Sequence, residues 1–151
     1  MIEIRTILVP TDFSECAAAA VRYAKQLAEK FGSRIHLLHV IPDSAIILPE
    51  AVVPAMTQMP DVAELQKSSG VGLQKVVDEF GLKDFNPSFE SRFGSPADEI
   101  IESAKEAKVD LIVIGTHGRG AIAHFLLGSV AERVVRFSLC PVLTVRHPSE
   151  K

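Results

Sequence analysis

Apolar positions recur along the chain in two alternating patterns, one typical of buried strands and one of amphipathic helices. Ile4–Val9 contains an uninterrupted apolar, β-branched-rich core and is followed by a polar turn. The next apolar residues fall at i, i+3, i+4 and i+7 spacing, which builds one face of a helix. This face predicts a helix that ends at Gly32 and leads into a second strand over Arg34–Val40. Its members are Ala17, Ala20, Val21, Ala24, Leu27, Ala28 and Phe31.

The second half of the chain repeats this alternation. Ser95, Pro96 and Asp98 have the order of an N-cap, a first-turn proline and an acidic first turn, and predict a helix start. Asp110–Ile114 follows and ends in four consecutive apolar residues, the pattern of a strand covered on both faces. A further helical stripe precedes a last strand over Val142–Arg146; it comprises Val130, Ala131, Val134 and Val135.

The middle of the chain is less regular. Apolar residues between Leu73 and Phe80 predict a helix that ends at Gly81, although Gly70 and Gly72 weaken its start. Pro87–Phe93 alternates as a third strand. The segment Ile41–Pro60 holds four prolines and is predicted to be irregular, a lid or contact surface.

The resulting order, βαβαβαβαβ, predicts an α/β fold. Strands that alternate with helices are joined by crossovers, so we expect a single doubly wound domain over residues 1–151, with a parallel sheet and helices on both faces. Ligands bind such sheets outside the carboxyl ends of the strands, where strand order reverses. The loops that deserve inspection are Pro10–Ser14, the one after Val40 and the one that begins at Gly115.

Composition narrows the possible partners. The 151 residues are 47% hydrophobic and 23% charged, with a net charge of -3, which indicates a globular chain and excludes intrinsic disorder. A weakly acidic chain is a poor candidate for binding nucleic acid or anionic membranes. No signal peptide or membrane-spanning stretch is evident, and Cys16 and Cys140 are too few for a disulfide framework, so a cytoplasmic location is expected.

The richest candidate for chemistry is the glycine-rich segment Gly115-Thr116-His117-Gly118-Arg119-Gly120, with Gly128-Ser129 beyond it. Glycines permit positive φ and close approach of backbone amides to an anion. A helix start adds unpaired amides and a positive dipole end. We therefore expect the amides of Gly128, Ser129 and Val130, together with Arg119, to form a phosphate site.

Three separated motifs resemble the universal stress protein family. They are the opening Ile-Leu-Val-Pro-Thr-Asp-Phe-Ser, the spacing Gly-x-x-Gly, nine residues, Gly-Ser (Gly115, Gly118, Gly128, Ser129), and the closing Cys-Pro-Val-Leu-Thr-Val-Arg. The spacing is that of the family's ATP-binding members. The resemblance covers essentially the whole chain and implies a five-stranded parallel sheet in the order 3-2-1-4-5.

The resemblance also implies a nucleotide site and a partner. The adenine and ribose are expected against Pro10, Thr11, Asp12, Val40, Ile114 and Gly115. The phosphates of ATP, ADP or AMP, with any Mg²⁺ that they carry, are expected at Gly118, Arg119, Gly128, Ser129 and Val130, with His117 nearby. A homodimer through Val142–Arg146 is implied as well. The apolar runs Ile46–Leu48, Val52–Val53 and Phe125–Leu127 are candidates for extra contact surface or for burial within the chain, and both alternatives stay open. Together these imply a dimeric stress-response protein whose nucleotide occupancy modulates conformation or partner binding.

Several structural and functional alternatives stay open. The glycines can serve only to make a tight turn between the strand and the helix. Ser129 and Glu132 can form a capping box, and Asp12 can be a turn residue or a helix cap. Both cysteines fit small buried groups, and His36 and His39 fit strand faces better than metal sites. No P-loop lysine or hydrolase elbow is present, so no catalytic residue is assigned. A slow ATPase or nucleotidyl transferase using His117 and Arg119, or a nucleotide-free scaffold, are the alternative functions.

Overall fold

The computed structural model describes residues 1–45, 61–117 and 127–147. Strands and helices alternate along this part of the chain. In chain order they are β1 (Thr6–Pro10), α1 (Glu15–Phe31), β2 (Arg34–Pro42), a 3₁₀ turn (Asp43–Ala45), α2 (Val62–Glu79), a second 3₁₀ turn (Lys83–Phe85), β3 (Ser88–Gly94), α3 (Pro96–Glu106), β4 (Leu111–Gly115), α4 (Ser129–Phe137) and β5 (Val142–Val145).

The five strands form one sheet in the order β3-β2-β1-β4-β5, and every pair in it is parallel. β1 lies at the centre, where Ile7 is opposite Ile35 of β2 and Leu111 of β4. The α/β fold and the strand order expected from the sequence are therefore confirmed. Strand order reverses between β1 and β4, so the carboxyl ends of these two strands flank the crevice where such sheets bind ligands.

Apolar layers cover both faces of the sheet. One layer joins Ile7 and Leu37 to side chains of α1 and α2, and the other joins Leu8 and Ile112 to side chains of α3 and α4. β1 is buried along its whole length because it receives helices on both sides. This explains why Ile7-Leu8-Val9 and Leu111–Ile114 show no alternation of polar and apolar residues.

Local signals begin and end the helices. The Ser14 hydroxyl accepts a hydrogen bond from the amide of Ala17 and caps α1, and Gly32 ends that helix with a φ of 68°. α3 begins as expected, with Ser95 at the N-cap and Pro96 at the first position, although the Ser95 side chain makes no capping bond. These signals fix the lengths of the crossovers and therefore the positions of the loops above the sheet.

The predicted bounds differ from the structure mainly in the middle of the chain. α2 begins at Val62, capped by Asp61, so Gly70 and Gly72 lie inside the helix and not near its start. β2 continues to Pro42 because β3 pairs with it as far as Gly94, which makes the beginning of the predicted irregular segment Ile41–Pro60 regular. The rest of that segment, with the proposed contact residues Ile46–Leu48 and Val52–Val53, lies outside the described residues.

Smaller shifts occur at the two ends of the sheet. β1 spans Thr6–Pro10 where Ile4–Val9 is predicted, and β5 ends at Val145, one residue before the predicted Arg146. Within the part of the chain that the structure describes, no helix combines the length and the apolar content needed to cross a bilayer.

Candidate functional site

An open cavity of about 680 Å³ lies at the carboxyl ends of β1, β2 and β4. All the sequence-predicted site residues that the structure describes line it. They are Pro10, Thr11, Asp12, Val40, Ile114, Gly115, His117, Gly128, Ser129 and Val130. Gly118 and Arg119 lie outside the described residues. Cavities of this size commonly hold small molecules and cofactors.

The loop between β1 and α1 forms one wall and is held by its own hydrogen bonds. The buried Thr11 donates its amide to the Leu38 carbonyl over 2.8 Å and accepts the Phe13 amide at its Oγ1 over 3.0 Å. Asp12 Oδ1 accepts the Ser14 amide over 3.0 Å. The residue that caps α1 is Ser14 and not Asp12, so the Asp12 carboxyl acts within the turn and also lines the cavity.

Phe13 and His39 complete this wall, and sequence reasoning did not single out either as a site residue. Phe13 has a φ of 64°, a left-handed conformation that costs a bulky residue about 1 to 3 kcal/mol. Its ring lies 4.5 Å from the His39 ring, and His39 Nδ1 donates a hydrogen bond to the Thr11 carbonyl over 2.8 Å. His39 is therefore tied to the loop from its place on β2, which agrees with the prediction that it belongs to a face of the second strand.

The end of β4 is close to α1, which explains the glycine there. A Cβ added to Gly115 would lie 2.9 Å from Cys16 Sγ and 3.0 Å from the Cys16 carbonyl oxygen. Positive φ is not the reason, since the glycines of the described chain with that conformation are Gly32, Gly81 and Gly94. Gly115 is required by steric contact: it lets the start of α1 pack against the strand beside the cavity.

The start of α4 forms the opposite wall. Gly128 is the N-cap, and its amide donates to the Thr116 carbonyl over 2.6 Å. This amide was expected at a phosphate and is instead engaged by the chain itself. Ser129 is the first helical residue, so it does not act as the N-cap of a capping box with Glu132.

The first-turn amides that follow have no acceptor within the helix itself. The first intrahelical bond of α4 runs from the Glu132 amide to the Gly128 carbonyl, which leaves the amides of Ser129, Val130 and Ala131 without an intrahelical acceptor. No side chain caps this end. Because these residues line the cavity, the positive end of the helix dipole faces it.

Formal charge at the cavity is low. Among its lining residues that the structure describes, Asp12 is the sole carboxylate and neither lysine nor arginine occurs. His117 Nδ1 lies 3.0 Å from Thr116 Oγ1. Within the described ranges, no three His, Cys, Asp or Glu side chains group as metal ligands. The described part of the cavity therefore offers a ligand the backbone amides and positive dipole end of α4, together with apolar side chains.

A polar cluster away from the cavity ties β2, β3 and α3 together. Glu90 Oε1 accepts hydrogen bonds from Ser103 Oγ over 2.6 Å and from Arg92 Nε over 3.1 Å, and lies 3.3 Å from His36 Nε2. Burial of the Glu90 carboxyl by itself raises its pKa. The hydrogen bonds from Ser103, His36 and Arg92 outweigh this and hold the pKa below the ordinary glutamate value. Each group has a structural partner, which agrees with the strand-face role expected for His36.

The cysteines behave as structural residues. Cys16 is buried and donates its thiol to the Val145 carbonyl over 3.5 Å. Cys140 is only half-buried, so the expectation of a buried group holds in part. Burial raises the pKa of the Cys140 thiol, and the nearby Asp110 carboxylate adds to the effect.

The fold and the cavity define a doubly wound α/β protein with a ligand-sized cavity at its switch point. The sequence profile of the Universal stress protein family matches residues 3–146. Universal stress protein MJ0531 of Methanocaldococcus jannaschii is 35% identical, over 97% of this chain and 85% of that protein. Universal stress protein G of Escherichia coli O157:H7 is 37% identical, over 94% of this chain and 99% of that protein. The chain belongs to the universal stress protein family.

Solved structures show the same likeness. The protein MJ0577 superimposes with a TM-score of 0.79 at 29% identity, covering 99% of this chain and 100% of that one. UspA from Lactobacillus plantarum gives a TM-score of 0.77 at 26% identity, covering 97% of this chain and 100% of that one. A universal stress protein solved in complex with cAMP gives a TM-score of 0.66 at 26% identity, covering 95% of this chain and 98% of that one.

Proposed function

We propose that this protein binds an adenine nucleotide (ATP, ADP or AMP) in the cavity between the β1–α1 loop and the start of α4. The observation that carries the proposal is the set of first-turn amides of α4 without intrahelical acceptors, which line the same cavity as Asp12. Such amides bind phosphate without formal charge, which suits a cavity with few cations. A family relative at 26% identity is bound to cAMP, an adenine nucleotide.

The apolar part of the cavity suits the base and the sugar. Val40 and Ile114 are buried at the carboxyl ends of β2 and β4, and Pro10 ends the central strand between them. An adenine ring against these side chains would leave Asp12 near the ribose hydroxyls, where a carboxylate accepts hydrogen bonds. Ser129, Val130 and, beyond the described residues, Gly118 and Arg119 would hold the phosphates.

The donor set does not amount to a resident metal site. The cavity wall that the structure describes contributes one carboxylate, Asp12, whereas Mg²⁺ bound by protein alone requires several oxygen ligands. Mg²⁺ is therefore proposed to arrive with the phosphates of the nucleotide.

The proposed role is regulatory. Nucleotide occupancy would change the conformation of the loops around the cavity and so the affinity for partners in a stress response. The protein would act as a cytoplasmic homodimer that pairs through β5. Exposed apolar side chains in the segment that leads into β5 support the dimer: Leu139 is 86% exposed and Phe137 55%.

The test compares two substitutions at Ser129. Ser129→Pro deletes the first amide of α4, and the backbone accepts it because Gly128 already has φ -69° and ψ 160°, as a residue before proline requires. Pro96 occupies the same position in α3. Ser129→Ala is the matched control, since it removes the hydroxyl and keeps the amide.

Calorimetric titration with ATP should show about a tenfold loss of affinity for Ser129→Pro, equivalent to ~1.4 kcal/mol. Ser129→Ala should lose about threefold or less. Mass spectrometry of the gently purified protein should also detect bound nucleotide. Wild-type protein that neither carries nor binds adenine nucleotides would exclude the proposal, and equal affinities in the two variants would exclude the Ser129 amide as a phosphate donor.

A further inference from the structure

Phe13 holds a backbone conformation that the surrounding structure must enforce. Its φ of 64° is left-handed, a region that glycine, asparagine and aspartate enter far more readily than phenylalanine. The strain lies directly after Asp12, at the rim of the cavity. Strain of this kind persists where neighbouring contacts over-determine it, so the contacts of the Phe13 ring are informative.

The ring end of Phe13 fits against the backbone of α2 at Gly72. A Cβ built on Gly72 would lie 2.7 Å from Phe13 Cζ and 2.9 Å from Cε1, distances at which the ring or the helix must shift. Gly70, two residues earlier in the same helix, has nothing within 4 Å of such a Cβ. The two helix glycines therefore differ: Gly72 makes room for an aromatic ring, and no contact of this kind accounts for Gly70.

The same ring is connected to both sides of Asp12. Phe13 donates its amide to Thr11 Oγ1, and its ring lies against His39, which donates Nδ1 to the Thr11 carbonyl. Asp12 thus lies between Thr11 and Phe13, which are linked to each other directly and also through His39. The Phe13 ring therefore contacts α2 on one side and the turn that carries the Asp12 carboxyl on the other.

We propose that Phe13 is a positioning residue for the ligand cavity, and that α2, docked through the notch at Gly72, sets the affinity for the ligand by fixing the Asp12 turn. This inference rests on the proposed nucleotide function and adds to it a coupling between α2 and the site. Any change that shifts α2 by the width of a methyl group should act on ligand affinity. Gly72 itself does not line the cavity, whereas Leu65, Ser68 and Ser69, in the two preceding turns of α2, do.

The experiment compares Gly72→Ala with the matched control Gly70→Ala. Both substitutions raise helix propensity at neighbouring positions of α2, but only the first puts a methyl group against the Phe13 ring. In titrations with ATP, Gly72→Ala should bind about tenfold more weakly, and Gly70→Ala should bind as the wild type does. The double variant Gly72→Ala, Phe13→Leu should recover part of the loss, because leucine lacks the ring end that the methyl group meets.

A readout without ligand separates this inference from the proposed function. Amide hydrogen exchange at Phe13 and Ser14 should be faster in Gly72→Ala than in Gly70→Ala, because their acceptors lie in the Asp12 turn. Wild-type protein that binds no adenine nucleotide, with this difference in exchange present, would overturn the proposed function but keep the coupling. Equal exchange in the two variants, or equal affinity where the wild type binds, would overturn the coupling.

Should Gly72→Ala fail to fold, Phe13→Gly tests the same link from the other side. Glycine accepts the left-handed conformation, so this change relieves the backbone strain while it removes the ring. The coupling requires faster exchange at Ser14 and, where the wild type binds ATP, weaker binding by Phe13→Gly. Unchanged values of both would overturn it.

Discussion

The amide of Gly128 donates a hydrogen bond to the carbonyl oxygen of Thr116 over 2.6 Å, and this bond fixes the start of α4 beside the end of β4. A Cβ on Gly128 would lie 2.9 Å from the same oxygen. The glycine is therefore needed for close backbone contact, at a φ of -69° that any residue adopts. By using this amide, the chain orients the next three amides of α4 toward the cavity.

Gly128→Ala should separate the two backbones. The methyl group meets a carbonyl oxygen that cannot move without distorting β4, so we expect a loss of about 1 to 3 kcal/mol in the free energy of unfolding, measured by urea denaturation. Nucleotide affinity should fall as well, because the first turn of α4 shifts. Ser129→Ala, one residue further on, lacks this clash and serves as the control. If Gly128→Ala left the free energy of unfolding unchanged, the close contact between Gly128 and the Thr116 carbonyl would be contradicted.

Much of the fold could be predicted because burial leaves a direct pattern in the sequence. Ile7-Leu8-Val9 and Leu111–Ile114 are apolar throughout because each strand is covered on both faces, and this pattern indicates central parallel strands. The alternation with helices then places the Asp12 turn and the Gly115 loop at one edge of the sheet. The periodicity of apolar residues and the order of the elements therefore suffice to predict the location of the cavity in the fold.

The details that sequence reasoning missed depend on contacts between distant segments. The low helix propensity of Gly70 and Gly72 weakened the predicted start of α2, whereas the structure continues the helix through both residues. The room that Gly72 leaves for Phe13 is a tertiary contact, which propensity does not report. The hydrogen bond from the Gly128 amide to the Thr116 carbonyl could likewise not be predicted from the sequence. A positive φ at a phenylalanine has no sequence signature at all. The contact between the Phe13 and His39 rings can be inferred only once β1 and β2 are in register.

Gly115 and Cys16 provide a double-mutant test of the contact beneath the cavity. Gly115→Ala should cost about 1 to 3 kcal/mol, since its Cβ would lie 2.9 Å from Cys16 Sγ and 3.0 Å from the Cys16 carbonyl oxygen. Adding Cys16→Ala removes the sulfur but not the carbonyl, so the double variant should recover only part of the loss. Thermal unfolding of the four proteins measures the coupling. Full recovery would mean that the thiol alone is the obstacle.

Leu143 offers a test of the proposed dimer. It lies in β5, the edge strand of the sheet, and is 37% exposed. Leu143→Lys places a charge on this edge, a change that discourages strand pairing between chains. Sedimentation equilibrium should show a dimer dissociation constant raised by about tenfold or more. Val71→Lys, at an exposed apolar position of α2, is the matched control and should not alter assembly. A dimer equally stable in both variants would place the interface elsewhere.

The hydrogen bond from Ser103 to Glu90 predicts a stability that depends on pH. Ser103 is fully buried, and its hydroxyl is the first of the groups that hold the Glu90 pKa down against the opposing effect of burial. A carboxyl whose pKa is lowered in the folded state stabilises the fold fully above its ordinary value of 4.5, and this contribution is lost as the pH falls through the lower, folded-state pKa.

Ser103→Ala should therefore lower the free energy of unfolding by about 1 to 2 kcal/mol at pH 7, toward the low end for a hydrogen bond to a charged group because the Glu90 side chain is partly exposed. The difference from the wild type should shrink as the pH is lowered below about 4.5, because protonated Glu90 gains less from the hydroxyl. Urea denaturation at several pH values measures both effects. Ser95→Ala, at the start of the same helix, is the control, since the Ser95 side chain makes no capping bond. A constant difference across this pH range would show that the loss at Ser103 comes from packing and not from the Glu90 carboxylate.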